Sequence, residues 1–211
     1  MDSTAWSTLV LVGRSLPAVC GRTGVVRGLR LALSEVWFDL RHHTDTRMEP
    51  PRHEGTNPLV FAEVVAHLPS TARRGRFLDF GAGKGRALLL AASDGFTAVT
   101  GVEREGDLCR VAVANAARRQ RRFPGATVEV CHGDVLDFAV PDDVSVGFFF
   151  NPFGPDVLEI VIGRILDSLG RAPRPFHVVY LHPRHAELFL GAGFTLLYAQ
   201  GMDGLILRHG R

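Results

Sequence analysis

Residues Arg76 to Ala92 read Arg-Phe-Leu-Asp-Phe-Gly-Ala-Gly-Lys-Gly-Arg-Ala-Leu-Leu-Leu-Ala-Ala, and no other stretch restricts the fold as tightly. Phe77, Leu78 and Phe80 form the short apolar run of a buried strand, and the Ala/Leu run beyond Arg86 starts a helix. Between them Gly81, Gly83 and Gly85 alternate with other residues. They give the loop backbone angles that side chains forbid, and they let a ligand approach the main chain. The first N–H groups of the helix lack intrahelical partners and are expected to turn towards that ligand.

The spacing separates the ligand classes that use such a loop. A phosphate loop needs Gly, four residues, then Gly-Lys-Ser/Thr, but Leu78 stands five before Gly83 and Gly85 stands where the hydroxyl belongs. A dinucleotide fingerprint wants Gly-x-Gly-x-x-Gly, but position 86 is Arg, so the third glycine comes one residue early. Asp79 stands two places before a Gly-x-Gly-x-Gly loop. A plain glycine turn in an α/β protein is the bland alternative.

The chain has 211 residues, 46% of them hydrophobic, enough for one full core with a small N-terminal appendage. We divide it into an N-terminal helical extension and loop (1–55) and a main domain (56–211). A net charge of +2 gives no reason to expect nucleic acid or an anionic membrane. Lys84, in the glycine loop, is the only lysine. Cys20, Cys109 and Cys131 show no Cys-x-x-Cys spacing, which points to a reduced, cytoplasmic setting. The apolar run Leu9–Val12 falls far short of the ~20 residues of a membrane span.

Val25, Val26, Leu29, Leu33, Val36, Trp37 and Leu40 recur at helical spacing. Their stripe suits packing on the core, a lid over a substrate pocket, or a homodimer contact. From Arg41 to Asn57 the composition is that of a loop, and Thr56 or Asn57 then caps a helix carrying Leu59, Phe61, Val64, Val65 and Leu68. After the glycine loop, Thr97–Val102 reads as a strand ending at Glu103. That carboxylate lies about 20 residues beyond the glycines, where α/β nucleotide sites place an acid on the ribose hydroxyls. Asp107–Arg122 is a helix whose basic end reads as a solvated terminus that complements the helix dipole. Thr127–Cys131 is a strand followed by His132-Gly133-Asp134-Val135. Ser145–Phe150 is a central strand ending in Asn151-Pro152-Phe153-Gly154. A helix (Pro155–Leu169), a strand (Phe176–Leu181), a short helix (Arg184–Leu190) and two strands joined by a short link complete the chain. The short link suits an antiparallel pair. The expectation is α/β: a Rossmann-like, doubly wound, mostly parallel seven-stranded sheet with one antiparallel strand near the C-terminus.

In these motifs and in their order, the chain from about Thr56 onward resembles the class I S-adenosylmethionine-dependent methyltransferases. Phe150-Asn-Pro-Phe-Gly154, with Arg-Pro-Phe-His-Val-Val-Tyr and a following His-Pro, is similar to a group of small bacterial methyltransferases without an assigned substrate. The resemblance implies S-adenosyl-L-methionine as cofactor. It places Gly81, Ala82, Gly83 and Gly85 along the amino-acid end, with Asp79 ordering the loop or accepting from the ammonium. Glu103 then takes the ribose, Asp134 with Val135 the adenine, and Phe153 packs nearby. Asn151 resembles the Asn of an (Asn/Asp)-Pro-Pro-aromatic turn that holds an amino group, although the second Pro is missing; otherwise the turn closes the cofactor pocket. His53 stands where relatives carry an aromatic residue, and a general base is one role for it. His182 and His185 have no nearby acid or Cys to complete a metal site, so no metal is expected. The methyl acceptor, a small molecule or a protein side chain, is not specified. An NAD(P)-dependent oxidoreductase and a noncatalytic S-adenosylmethionine-binding protein are the alternatives.

Overall fold

The computed structural model describes residues 24–46, 55–122, 124–201 and 203–210, so His53, Cys20 and Leu9–Val12 lie outside it. The strands are β1 (Arg76–Phe80), β2 (Ala98–Glu103), β3 (Thr127–His132), β4 (Val144–Phe150), β5 (Phe176–Leu181), β6 (Thr195–Gln200) and β7 (Gly204–His209). They form one sheet in the order β3-β2-β1-β4-β5-β7-β6. β1 to β5 pair in parallel, and β7 runs antiparallel to both β5 and β6. The helices are α1 (Val25–His42), α2 (Pro58–Val65), α3 (Arg86–Ser93), α4 (Gly106–Arg122), α5 (Pro155–Arg171) and α6 (Ala186–Gly191).

Strands covered on both faces read as continuous apolar runs, and successive side chains enter opposite cores. Phe77 joins Phe61 and Val64 of α2 and Leu88 of α3 on one face. Leu78 and Phe80 join Val161 and Ile165 of α5 and Phe189 of α6 on the other. Asn57 caps α2 by accepting from the Leu59 and Val60 N–H groups, with Pro58 in the first turn. Of the basic run ending α4, Arg118 is exposed but Arg119 is buried and reaches Ser93 Oγ at 3.3 Å. The solvated reading of that end therefore fails at Arg119, which lies on the side of α4 turned to α3.

The apolar stripe of α1 faces outward: Val26 is 75% exposed, Trp37 59% and Leu40 69%. The second stripe, Gly28, Leu31 and Phe38, is buried, and Glu35 and Asp39 share that side. Both stripes have helical spacing, so periodicity alone cannot choose between them. The choice is made by Arg86, whose guanidinium is 2% exposed and has Glu35 at 3.7 Å and Asp39 at 3.6 Å. A buried charge without counter-charges costs several kcal/mol, which outweighs the fraction of a stripe left in water. Arg27 adds ion pairs to Glu63 at 3.0 Å and Asp203 at 2.7 Å. We expect Phe38→Ala to lower unfolding free energy by about 3–5 kcal/mol and Leu33→Glu to change it by less than about 0.5 kcal/mol. Urea denaturation of the two variants checks this, and the opposite ranking contradicts the orientation.

Candidate active site

The strand order reverses between β1 and β4, and ligands of open α/β sheets bind beyond the strand ends at such a point. The loop leaving β1 is held in shape by its own amides. Gly81 and Ala82 N–H donate to the Val102 carbonyl at 3.0 and 2.9 Å, and Gly83 N–H donates to Glu103 Oε2 at 2.7 Å. These three donors are spent inside the protein, so this part of the loop offers close-approach surface. Gly81, Gly83 and Gly85 have φ of 95°, 53° and 83°, in the region that favours glycine. A Cβ on Gly81 would meet Pro152 Cβ at 3.0 Å, and one on Gly85 would meet Ala112 Cβ at 3.2 Å. Gly81 thus lets the turn after β4 close over the loop, and Gly85 lets α4 pack beneath it.

These elements enclose a cavity of about 700 Å³, within the ~300–1,000 Å³ of small-molecule sites. Asp79, Gly81, Ala82 and Gly83 line one side; Glu103, Asp134 and Val135 follow along β2 and β3; Asn151 and Phe153 come from the turn after β4. Gly85 does not line it. Thr56, Arg86, Phe150 and Arg184 also line it, and the sequence reading assigned none of them to the site. Arg86 counted there only as a mismatch to a glycine pattern, and its pairing with Glu35 and Asp39 spans some fifty residues with no local signal.

Glu103 is buried and accepts at both oxygens, from Gly83 N–H and from Glu105 N–H at 2.8 Å. Each oxygen keeps a further lone pair for a ligand hydroxyl. Asp134 Oδ1 accepts from Leu136 N–H at 2.9 Å, a short turn that fixes the carboxylate at the cavity edge. Asn151 adopts φ 44°, and its Oδ1 is buried with no hydrogen-bond partner among the described residues. Such strain and such an orphaned acceptor both cost free energy and mark functional sites.

Asp79 is 3% exposed. Burial first, and the Glu103 carboxylate second, raise its pKa well above the usual carboxylate range. Among the described residues no cation pairs with it, so burial and repulsion favour its protonated form until a positive partner arrives. Arg86 supplies none, because it is committed to Glu35, Asp39 and Thr46 Oγ1, the last at 2.7 Å.

No family model matches the chain, and no curated protein matches it. Its likeness lies among solved structures. A proposed methyltransferase of Escherichia coli, yhhF, is 16% identical with a TM-score of 0.59, the match covering 80% of this chain and 92% of that one. The PH0226 protein of Pyrococcus horikoshii is 18% identical with a TM-score of 0.55, covering 83% and 98%. A proposed S-adenosyl-L-methionine-dependent methyltransferase of Methanococcus maripaludis is 11% identical with a TM-score of 0.52, covering 72% and 87%. At these identities the likeness establishes the fold alone.

A carboxyl whose folded pKa is raised binds its proton more tightly in the native state. The stability it contributes is present below the unfolded pKa of about 3.9 and is lost as pH rises through the higher folded value. Asp79→Asn is therefore expected to stabilise the ligand-free protein, by more at pH 8 than at pH 5, in paired urea melts. Equal or lower stability at both pH values contradicts the absence of a counter-cation.

Proposed function

We propose that the protein is an S-adenosyl-L-methionine-dependent methyltransferase. The observation that carries the reading is the convergence on one cavity of three carboxylates, Asp79, Glu103 and Asp134, from the ends of three adjacent strands. The cofactor is a cation at both its ammonium and its sulfonium, and the unpaired Asp79 supplies what such a ligand lacks in a buried site. Glu103, fixed by two backbone amides, has lone pairs left for the ribose hydroxyls. Asp134 accepts from the adenine amino group beside Val135, and Phe153 packs against the cofactor. Gly81, Ala82 and Gly83 let its amino-acid end lie against the main chain.

When bound, the cofactor supplies a methyl group already activated by its sulfonium. The chain's own work is therefore orientation and exclusion of water, worth roughly 7–11 kcal/mol when reacting groups are well aligned. Asn151 is the acceptor-side residue: its Oδ1, buried and without a donor among the described residues, turns into the cavity to take a hydrogen bond from the N–H or O–H that is to be methylated. Donation to this oxygen keeps a lone pair of the attacking atom directed away from the turn and into the cavity.

Calorimetry with S-adenosyl-L-methionine and its demethylated product tests the reading. Both are expected to bind, Gly83→Arg to abolish binding, and Asp134→Ala to weaken it by about 1.5–3 kcal/mol, roughly tenfold or more. A folded protein that binds neither compound, or that binds NAD in their place, contradicts it.

A further inference from the structure

Most of the charged side chains that line the cavity are already engaged within the protein, and the exposed Arg184 is an exception. Arg86 is neutralised by Glu35 and Asp39, and Arg104 lies 3.8 Å from Glu105 and 3.9 Å from Asp134. Glu103 is held by two amides. That leaves Asp79 and Arg184. Among the described residues no carboxylate pairs with the Arg184 guanidinium, although it lines the cavity.

The two unpaired charges stand apart. Strands lie ~4.8 Å from their neighbours, so the β5 end that carries Arg184 is roughly 10 Å from the glycine loop of β1 and roughly 19 Å from the β3 end that carries Asp134. Asp134, Glu103 and Asp79 span the β3 to β1 half; Phe150, Asn151 and Arg184 span the β4 to β5 half. The second half holds an acceptor atom without a donor, Asn151 Oδ1. It also holds an aromatic ring, Phe150, against which the His182 ring packs edge-on at 5.0 Å, and a cation without an anion.

We infer that the methyl acceptor is a flat ring bearing an oxyanion, a carboxylate or phosphate, held by Arg184 while the N–H or O–H of the same molecule meets Asn151. This rests on the methyltransferase reading. A guanidinium forks onto a carboxylate or phosphate with two parallel hydrogen bonds, and a flat ring covers Phe150 with little loss of conformational freedom. Arg184 is reached by solvent, which screens the pair, so the preference it confers is about tenfold rather than a thousandfold.

The test is an NMR titration of the full chain saturated with S-adenosylhomocysteine, using benzoate, phenyl phosphate and neutral benzamide as probes. One or both anions are expected to bind about tenfold more tightly than benzamide, and their ratio identifies the preferred oxyanion. Arg184→Gln is expected to abolish that preference and Arg184→Lys to keep part of it, both with unchanged S-adenosylhomocysteine affinity. Equal binding of all three probes overturns the inference, as does a preference that survives Arg184→Gln. A tenfold loss of S-adenosylhomocysteine affinity in Arg184→Gln also overturns it, by assigning the guanidinium to the cofactor's own carboxylate. If the unaltered protein fails to bind S-adenosylhomocysteine, the methyltransferase reading falls separately. The same titrations on the ligand-free chain then decide whether Arg184 holds an anion.

Discussion

A single carboxylate joins the two strands on which the site is built. Glu103, at the end of β2, accepts the Gly83 N–H at 2.7 Å and so fixes the loop that leaves β1. With the Gly81 and Ala82 amides on the Val102 carbonyl, the loop is set before any ligand arrives. The pre-formed shape removes an ordering cost from binding. It also places a second carboxylate, Asp79, beside the first, where burial and, after it, the repulsion from Glu103 raise the Asp79 pKa. The native state carries that unfavourable pair for the sake of what binds there, a common balance between stability and function.

The same loop anchors the N-terminal segment. Arg86 opens α3 immediately after the last glycine, and its buried guanidinium gathers Glu35, Asp39 and Thr46. Asn115 of α4 bridges further, donating to the Lys84 carbonyl at 3.0 Å and to the Asp45 carbonyl at 3.1 Å. α1 is thus fastened to the cavity wall by polar contacts, and its apolar stripe is left in water. A helix oriented by one buried cation is an instance of polar groups specifying an arrangement that apolar contact alone would leave ambiguous.

What the sequence made legible was local. Glycine spacing, a carboxylate at the ends of the first three strands and the short link before β7 set the sheet and brought nine of the anticipated residues to one cavity. What it hid was long-range. Val26, Leu29, Leu33 and Leu40 announce an inward face, and only the position of Arg86 shows that the neighbouring stripe is the buried one. The loop amides of Gly81, Ala82 and Gly83 are bonded across to β2, the last a pairing between residues twenty apart that no local pattern announces. Arg119 sits in a run that reads as solvent-facing, and its burial depends on how α4 lies against α3. Arg184 follows a His-Pro pair in a surface turn and carries no pattern at all; only its place on the cavity wall, in the half opposite the carboxylates, sets it apart.

The central claim is that one adenosyl ligand lies across the ends of β1, β2 and β3. The direct measurement is a crystal structure of the protein soaked with S-adenosylhomocysteine. The account predicts the ribose within hydrogen-bonding distance of Glu103, the adenine amino group at Asp134 and the ammonium at Asp79. A ligand bound elsewhere, or one that leaves Asp79 without a cation, contradicts it.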